Sequence, residues 1–576
     1  MWKEYAKLYL IIMNKNKIGI FLFGIVALTI YLYQLLHLNV NLDSLCDEGY
    51  LFLRIQAAQN GEIEGVSQWS QIINRIFGNI IALDILSLRY VRYFVHLLTV
   101  CLFSLVSMFY LSKKLILRSI YDKLYSILFV FLYGTIAIGG IVVSYNQLQE
   151  FFIVCVISSF LLCDVYQHSK QKYLYLLLIG FFSFLSILTI LPSGILIFGS
   201  VLILIFIHDF KKWKTNFTNI SVVVIGFFFS MLIFHYFIVD LFLVLEKMTE
   251  TAKTVTTTDR GYDPFTFLLK IIFYFRDFYI HFCVLTGITV FALIIQKYYK
   301  KNIAYIFFLF SILVVSIYLK KPALPLTTLL AFPIIFLLMV IFINKINTKS
   351  FKSYIRFDNL FIFFLLFAPL LSSIGTNVSL ASKMGSFILP WSLLMFIVFA
   401  NSSMNNRFFK EIKFLQIFIL LIISIPQLYT INFKNDKFFF NKINSPVSTI
   451  QISQKQKMYF ENVYKIMTKY HYKPRDTVFS TQLDFMTIVA LSATPCGVYF
   501  QPMDFLKDVN KDKLHKPDYL FLTQFDLEII GEELKKRNWG FPDEFDKYSV
   551  GTPEMTLTSY STTRTLYCRK KSNIIQ

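Results

Sequence analysis

Three carboxylates, Asp43, Asp47 and Glu48, stand close together in "LDSLCDEGY", just past the first long apolar run of the chain. Beside a bilayer such groups are costly unless they are solvated, paired or used. If used, a positioned carboxylate takes the proton of a hydroxyl as its oxygen attacks an electrophile. Neighbours on a helix point about 100° apart, so Asp47 and Glu48 would do different jobs. Asp43 reads as a solvated loop residue, and a solvated turn is the plain alternative for the pair as well. Cations able to meet an anionic leaving group are Arg89 and Arg92 in "SLRYVRYFVHLLTV", Lys320 and Lys321 in "YLKKPALP", and Lys383 in "LASKMG". For each of them the alternative is snorkelling to lipid head groups. Asn146 and Glu150 in "SYNQLQEFF" are further polar candidates for the wall of a cavity. His235, which with Asp240 closes an apolar run, reads more readily as a hydrogen-bonded packing residue than as a catalyst. "TTTDRGYDP" offers Asp263 as an acceptor contact or part of a mobile cover. Asp47, Glu48 and Asp263 bear the oxygens a divalent metal takes, but no ligand spacing decides whether one is bound.

The elements that must position these residues are membrane helices. The chain has 576 residues, 56% of them hydrophobic and 18% aromatic, with 64 Phe, and a mean hydropathy of +0.59. Apolar runs of roughly 17–25 residues, the length that crosses a hydrocarbon core, recur from Ile18 to Ile431. They do not alternate as β-barrel strands would. The first run is too long for a signal-peptide core and is read as an uncleaved span. Spans are expected near 18–38, 88–111, 124–144, 150–166, 173–191, 193–209, 220–238, 279–296, 303–319, 326–343, 360–375, 385–400 and 414–431, about thirteen in all. The fold class is therefore an all-α polytopic membrane protein with a small soluble α/β domain at the C-terminus. The formal charge of +21 is not a nucleic-acid signal, because Lys and Arg gather in alternate short loops, all on one side of the spans. From Lys3/Lys7/Lys15/Lys17 to Arg407/Lys410/Lys413, these loops agree on a cytoplasmic N-terminus by the positive-inside rule.

On that topology the outer side receives residues 39–87, residues 239–278 and the tail. The membrane domain is 1–431 and the soluble domain 432–576. In the tail "DTVFST", "DYLFLT" and "TLYCRK" read as strands. "LDFMTIVALSA" and "DLEIIGEELKKRNWG" read as helices, the second capped by Gly540. No glycine-rich phosphate loop occurs there. Of the seven cysteines, only Cys496 and Cys568 share a polar segment whose context admits a disulfide, and no metal-binding Cys/His spacing exists. In the first outer loop, "GYLFLRIQAAQNGEI" and "SQWSQIINRIFGNII" have the mixed character of helices lying in the membrane interface.

The order of parts resembles the GT-C superfamily, the membrane glycosyltransferases that use polyprenyl-phosphate sugars, such as the protein mannosyltransferases and the aminoarabinose transferases of lipid A. The parts are the first span, Asp47-Glu48, two interfacial helices ending in Phe77-Gly78, and Leu88-Arg89 opening the next span. "SYNQLQEFF", "TILPSGILIFG", "GYDPFTFLLKIIFYF" and "LASKMGSFILPWSLL" follow in the family order over about residues 18–400. Two departures stand out. The Lys of the family's Lys-Pro-Thr-Gly turn is missing, and "SQWSQ" occupies the loop where a Pro-Pro pair is common.

The resemblance implies inverting transfer of a sugar from a polyprenyl-phosphate donor to a hydroxyl on a lipid, glycan or protein, at the outer face of the cytoplasmic membrane. Asp47 would be the base and Glu48 its orienter or a second contact. Arg89, Arg92, Asn146, Glu150, His235, Asp263, Lys320, Lys321 and Lys383 would contact substrate. Two other classes stay open. A transporter or flippase of lipid-linked sugar needs polar or broken helices near mid-membrane, and an assembly protein would work through its tail alone. The topology makes a direct prediction: a phosphatase fused after Gln576 is active, whereas a reporter that works only in the cytoplasm is silent there.

Overall fold

The computed structural model describes residues 24–38, 47–61, 68–78, 84–114, 120–136, 144–208, 213–256, 357–374 and 385–401 and, in the tail, 445–446, 450, 452, 454–480, 485–497, 505–506, 514–551 and 564–570. The expected spans between 279 and 343 and at 414–431 lie outside them, as do Asp43, Asp263, Lys320, Lys321 and Lys383.

The first part of the described chain is helical. It contains α1 (Gly24–Leu36), then α2 (Asp47–Gln59), α3 (Trp69–Phe77), α4 (Ile85–Lys113), α5 (Ile120–Ile136), α6 (Tyr145–Val165), α7 (Gln171–Thr189), α8 (Leu191–His208), α9 (Trp213–Phe237), α10 (Leu241–Thr256), α11 (Phe357–Ser373) and α12 (Leu389–Asn401). Among the described residues four helices, those at 85–113, 145–165, 171–189 and 214–237, are long and apolar enough to cross a membrane, with shorter apolar helices at 24–36, 191–207 and 360–373. This is the architecture of a multi-pass membrane protein. Several helices run past the expected span limits. α6 begins at Tyr145 because a capping box closes its first turn: the Ser144 hydroxyl accepts from the Asn146 N–H at 3.3 Å and the Gln147 side chain accepts from the Ser144 N–H at 3.0 Å. Asn146 and Glu150 consequently sit inside the helix. At the other end of α6 the buried Asp164 meets Lys114 at 2.8 Å.

Lipid gives helices no hydrophobic reason to associate, so small residues that let backbones approach matter more than in water. α7 and α9 cross at such a place. A β-carbon on Gly180 would lie 1.9 Å from the Val223 carbonyl oxygen, and one on Gly226 would lie 2.1 Å from that of Leu177. Elsewhere the bundle closes on large side chains. Phe103, Tyr133, Val156, Leu365 and Leu394 share one buried core, and the Trp391 indole donates to the Leu366 carbonyl at 3.0 Å, joining α12 to α11.

The tail holds α13 (Gln454–Lys469), β1 (Thr477–Ser480), α14 (Phe485–Ala490), β2 (Thr494–Pro495), β3 (Tyr519–Leu522), α15 (Gln524–Lys536), β4 (Phe545–Gly551) and β5 (Arg564–Arg569). Its sheet has the order β2-β1-β3-β5-β4, with β1 parallel to β2 and β3 and β5 antiparallel to β3 and β4. Successive strand residues point to opposite faces, and both faces are apolar. Phe479, Leu520, Leu522 and Tyr567 enter a core with Ile530, Leu534 and Trp539. Val478, Tyr519, Phe521, Leu566 and Cys568 face the other way, into a core that also contains residues of α2, α3, α4 and α6. Bundle and tail therefore share one hydrophobic core.

In the tail one expectation is corrected and one open question is answered. α15 ends at Lys536, not at Gly540, because Arg537 is already extended (ψ 146°). Gly540 (φ 71°) turns the chain further on, where a β-carbon would lie 2.1 Å from the Glu544 carboxylate. Cys496 and Cys568 are both free thiols.

The α7–α9 crossing yields a prediction. Gly180→Ala forces two backbones apart and lowers the unfolding midpoint in detergent, with a cost of about 1–3 kcal/mol or more. Gly199→Ala, where a β-carbon meets nothing within 4 Å, leaves the midpoint at the parental value.

Candidate active site at the tail-facing end of the bundle

Asp47 and Glu48 are the first two residues of α2; their side chains lie outside the description. The helix they open is enclosed by protein. Leu51, Phe52, Leu53 and Ile55 are all buried although they point in different directions, because one side packs on the bundle and another on α14 of the tail. The expectation of a helix lying in the membrane interface is thereby modified: the tail covers a side that would otherwise meet solvent or head groups. The approach of α14 is very close. A β-carbon on Gly49 would lie 2.4 Å from the Met486 nitrogen and 2.6 Å from the Phe485 carbonyl carbon. One residue on, the Tyr50 and Phe485 rings are 5.8 Å apart, and the Arg54 guanidinium stands 5.1 Å from the Tyr50 ring centre. α3 is tied to α2 by the Asn74 amide donating to the Ala58 carbonyl at 3.2 Å, and to the end of α7 by the Gln68 N–H donating to the Leu188 carbonyl at 3.0 Å.

Beneath this layer, α4 and α6 carry a buried charged cluster. Arg89 is fully buried and donates to the Leu38 carbonyl at 2.7 Å. Leu38 follows the end of α1, on the chain that leads to Asp47. Arg92, 4% exposed, lies within electrostatic range of Glu150, Arg89, Tyr31 and Tyr93. His96 shares the face, since 89, 92 and 96 follow helical spacing. Its Nε2 stands 3.0 Å from the Gly134 carbonyl, so that nitrogen donates, while Nδ1 faces a Glu150 carboxylate oxygen at 3.7 Å. The other Glu150 oxygen makes no hydrogen bond among the described residues. Two guanidinium groups, an imidazole and a carboxylate are thus buried together. Tyrosines brace the cluster: Tyr93 donates to the Tyr31 carbonyl at 2.8 Å, and Tyr31 donates to that of Phe131 at 3.1 Å. Next to Glu150, the Gln149 amide donates to Ser193 at 2.6 Å, joining α6 to the "LPSG" turn that opens α8.

The structure thus brings Arg89, Arg92 and Glu150 together and sets Asn146, half-buried, one turn before Glu150 on α6. His235 is engaged at a corner. Its Nδ1 accepts from the Leu241 N–H at 3.1 Å and lies 3.3 Å from Asp240, while Asp240 accepts from the Phe242 N–H at 2.9 Å and caps α10. These are the contacts of a packing residue. His96 was missed in the sequence. The signal was its position, four residues after Arg92 and seven after Arg89, which puts all three on one helix face. Among the described residues no three His, Cys, Asp or Glu side chains gather as a metal site. Asp263 and the Asp47 and Glu48 side chains are not among those described.

Solved structures of an oligosaccharyltransferase and of ArnT are similar to this chain. The archaeal oligosaccharyltransferase AglB from Archaeoglobus fulgidus, in complex with an inhibitory peptide and a dolichol-phosphate, matches with 13% identity and a TM-score of 0.45, over 96% of this chain and 74% of that one. ArnT from Cupriavidus metallidurans, bound to undecaprenyl phosphate, matches with 12% identity and a TM-score of 0.42, over 96% of this chain and 98% of that one. No family model and no curated protein matches. No residue role is carried over from either structure.

The charged cluster predicts coupling. In a thermal-stability cycle of Arg92→Met, Glu150→Gln and the double variant, the two changes are non-additive by about 0.5–3 kcal/mol, because each single change leaves the other charge buried without its compensation. Additive losses would show that the two groups do not interact.

Proposed function

We propose that this protein is a glycosyltransferase that moves a sugar from a polyprenyl-phosphate donor to a hydroxyl acceptor at the outer face of the cytoplasmic membrane. The observation that carries the reading is the arrangement of α2 over the cluster. A helix that opens with two carboxylates is packed on the end of α4, where Arg89, Arg92, His96 and Glu150 are buried among membrane helices. A donor of this class has its anionic phosphate at the membrane boundary and its lipid tail in the bilayer. The order of motifs in the sequence supports the same reading, and so does the clustering of Lys and Arg on alternate loops, which puts the tail outside.

In the proposed reaction Asp47 accepts the proton of the acceptor hydroxyl while that oxygen bonds to the anomeric carbon. The bond from that carbon to the phosphate oxygen breaks, and its electron pair leaves with the phosphate. A single displacement through an oxocarbenium-like transition state inverts the anomeric centre. Glu48 orients Asp47 or the acceptor, and Asp263 contacts the acceptor. Arg92, Lys383, Lys320 and Lys321 stabilise the departing phosphate. Arg89, which donates to the Leu38 carbonyl, fixes the chain at the end of α1, ahead of Asp47. Asn146 and Glu150 contact the donor, and His235 packs the corner between α9 and α10.

A transporter of lipid-linked sugar is the second reading. The observation in its favour is the set of ionisable groups buried inside the bundle, Arg92, His96 and Glu150. The two readings part on chemistry, since a transporter returns the donor intact.

Transfer from a polyprenyl-phosphate sugar in purified membranes tests the proposal, with protein levels matched. Asp47→Asn keeps size and shape and slows transfer about 10²–10⁴-fold, and Glu48→Gln has a milder effect. Lys383→Ala weakens use of the donor by about 2–4 kcal/mol of transition-state stabilisation with little loss of fold stability. Parental rates in Asp47→Asn would remove the base assignment. A parent that consumes no such donor would remove the enzyme reading.

A further inference from the structure

The start of α2 is held from a direction that the reaction itself does not require. Where Gly49 meets α14, the tail comes so close that an added β-carbon would stand 2.4, 2.6 and 2.8 Å from three backbone atoms of Phe485 and Met486. Backbone atoms, unlike the end of a flexible side chain, cannot swing away. The contact continues through the Tyr50 and Phe485 rings at 5.8 Å and into the buried core to which Leu51, Leu53, Met486 and Val489 all belong. The tail also reaches the bundle where it enters: the Ile85 N–H, at the start of α4, donates to the Pro446 carbonyl at 3.0 Å. Glu48 is the residue next to Gly49 and Asp47 the one before it. Whatever fixes Gly49 fixes the backbone of both.

We propose that Gly49 is a positioning residue and that α14 of the tail is a strut that sets the place of Asp47 and Glu48 over the bundle. This rests on the reading of Asp47 as the base. It gives the tail a role in the reaction although no tail residue need touch substrate. Any side chain at position 49 moves α2 off α14 by about an ångström, the difference between 2.4 Å and an ordinary contact. A misplacement of that size costs on the order of 10²-fold in rate.

The test uses the full-length protein in nanodiscs. Gly49→Ala and Phe485→Leu, which removes the ring facing Tyr50 but keeps an apolar side chain, are compared with the parent. Three quantities are read: amide hydrogen exchange over residues 47–53, kcat and KM for a polyprenyl-phosphate sugar, and the unfolding midpoint. Exchange over 47–53 is expected to rise at least tenfold in Gly49→Ala and less in Phe485→Leu. The kcat of Gly49→Ala falls on the order of 10²-fold with the donor KM within about twofold of the parent and a loss of midpoint no greater than that of Gly180→Ala, whose kcat stays within about threefold of the parent. Parental exchange in both variants overturns the strut. Raised exchange with parental kcat overturns the positioning role. An equal fall in kcat in Gly180→Ala, which disturbs the bundle away from α2, overturns it too, since the effect would then be general unfolding. A parent that turns over no lipid-phosphate sugar overturns the base reading instead, and the exchange data still decide whether α14 holds α2.

Discussion

A charge taken out of water must find a counter-charge, and in this protein that requirement joins the membrane helices where it matters most. Arg89, Arg92, His96 and Glu150 are all buried. A lone ion there would cost several kcal/mol. The groups compensate one another only if α4 and α6 stand side by side in one register, with α5 supplying the Gly134 carbonyl to His96 and the end of α1 supplying the Leu38 carbonyl to Arg89. Apolar packing alone allows helices to slide and rotate. A compensated cluster restricts them to the arrangement that keeps it satisfied. The geometry of the whole tail-facing end follows, because α2 and α3 are laid on helix ends whose relative heights are already set.

The two halves of the molecule are held by different forces. In the tail, water drives burial, and strands with both faces apolar disappear between two cores. In the bundle, lipid is as apolar as Leu, so contact comes from close fit, as at Gly180 and Gly226, and from polar groups satisfied within the protein. α2 belongs to both regimes. It is short, and its buried residues face several ways, a pattern that makes sense only when protein lies on more than one side.

Much of this was legible in the sequence, for physical reasons that can be named. Long apolar runs announce spans because nothing else in a protein tolerates them, and the helices at 85–113, 145–165, 171–189 and 213–237 lie on expected runs. The strands at 477–480, 519–522 and 564–569 were marked by β-branched, aromatic and leucine residues. β4 (Phe545–Gly551) was not, since "FDKYSVG" carries charge and ends in Gly. It is an edge strand paired on one side only. Within the candidate site, Arg89, Arg92 and Glu150 were found one by one, but their meeting was invisible, because contact between α4 and α6 is a tertiary fact. His96 was hidden in an apolar run where a single polar residue usually means packing. The closeness of Gly49 to α14 could not be read at all, since the partner lies more than four hundred residues away.

The two tail thiols illustrate how topology settles a question of compartment chemistry. Cys496 follows β2 and Cys568 lies in β5, with β1 and β3 between them. Three strand spacings amount to about 14 Å, twice the reach of a disulfide, and the two side chains enter different cores on opposite faces of the sheet. Burial also pushes both thiols up to about 12, so neither is an appreciable nucleophile near neutral pH. As far as these two cysteines are concerned, the sheet matures without an oxidant and is indifferent to reductant, and the tail keeps its shape on either side of a redox boundary.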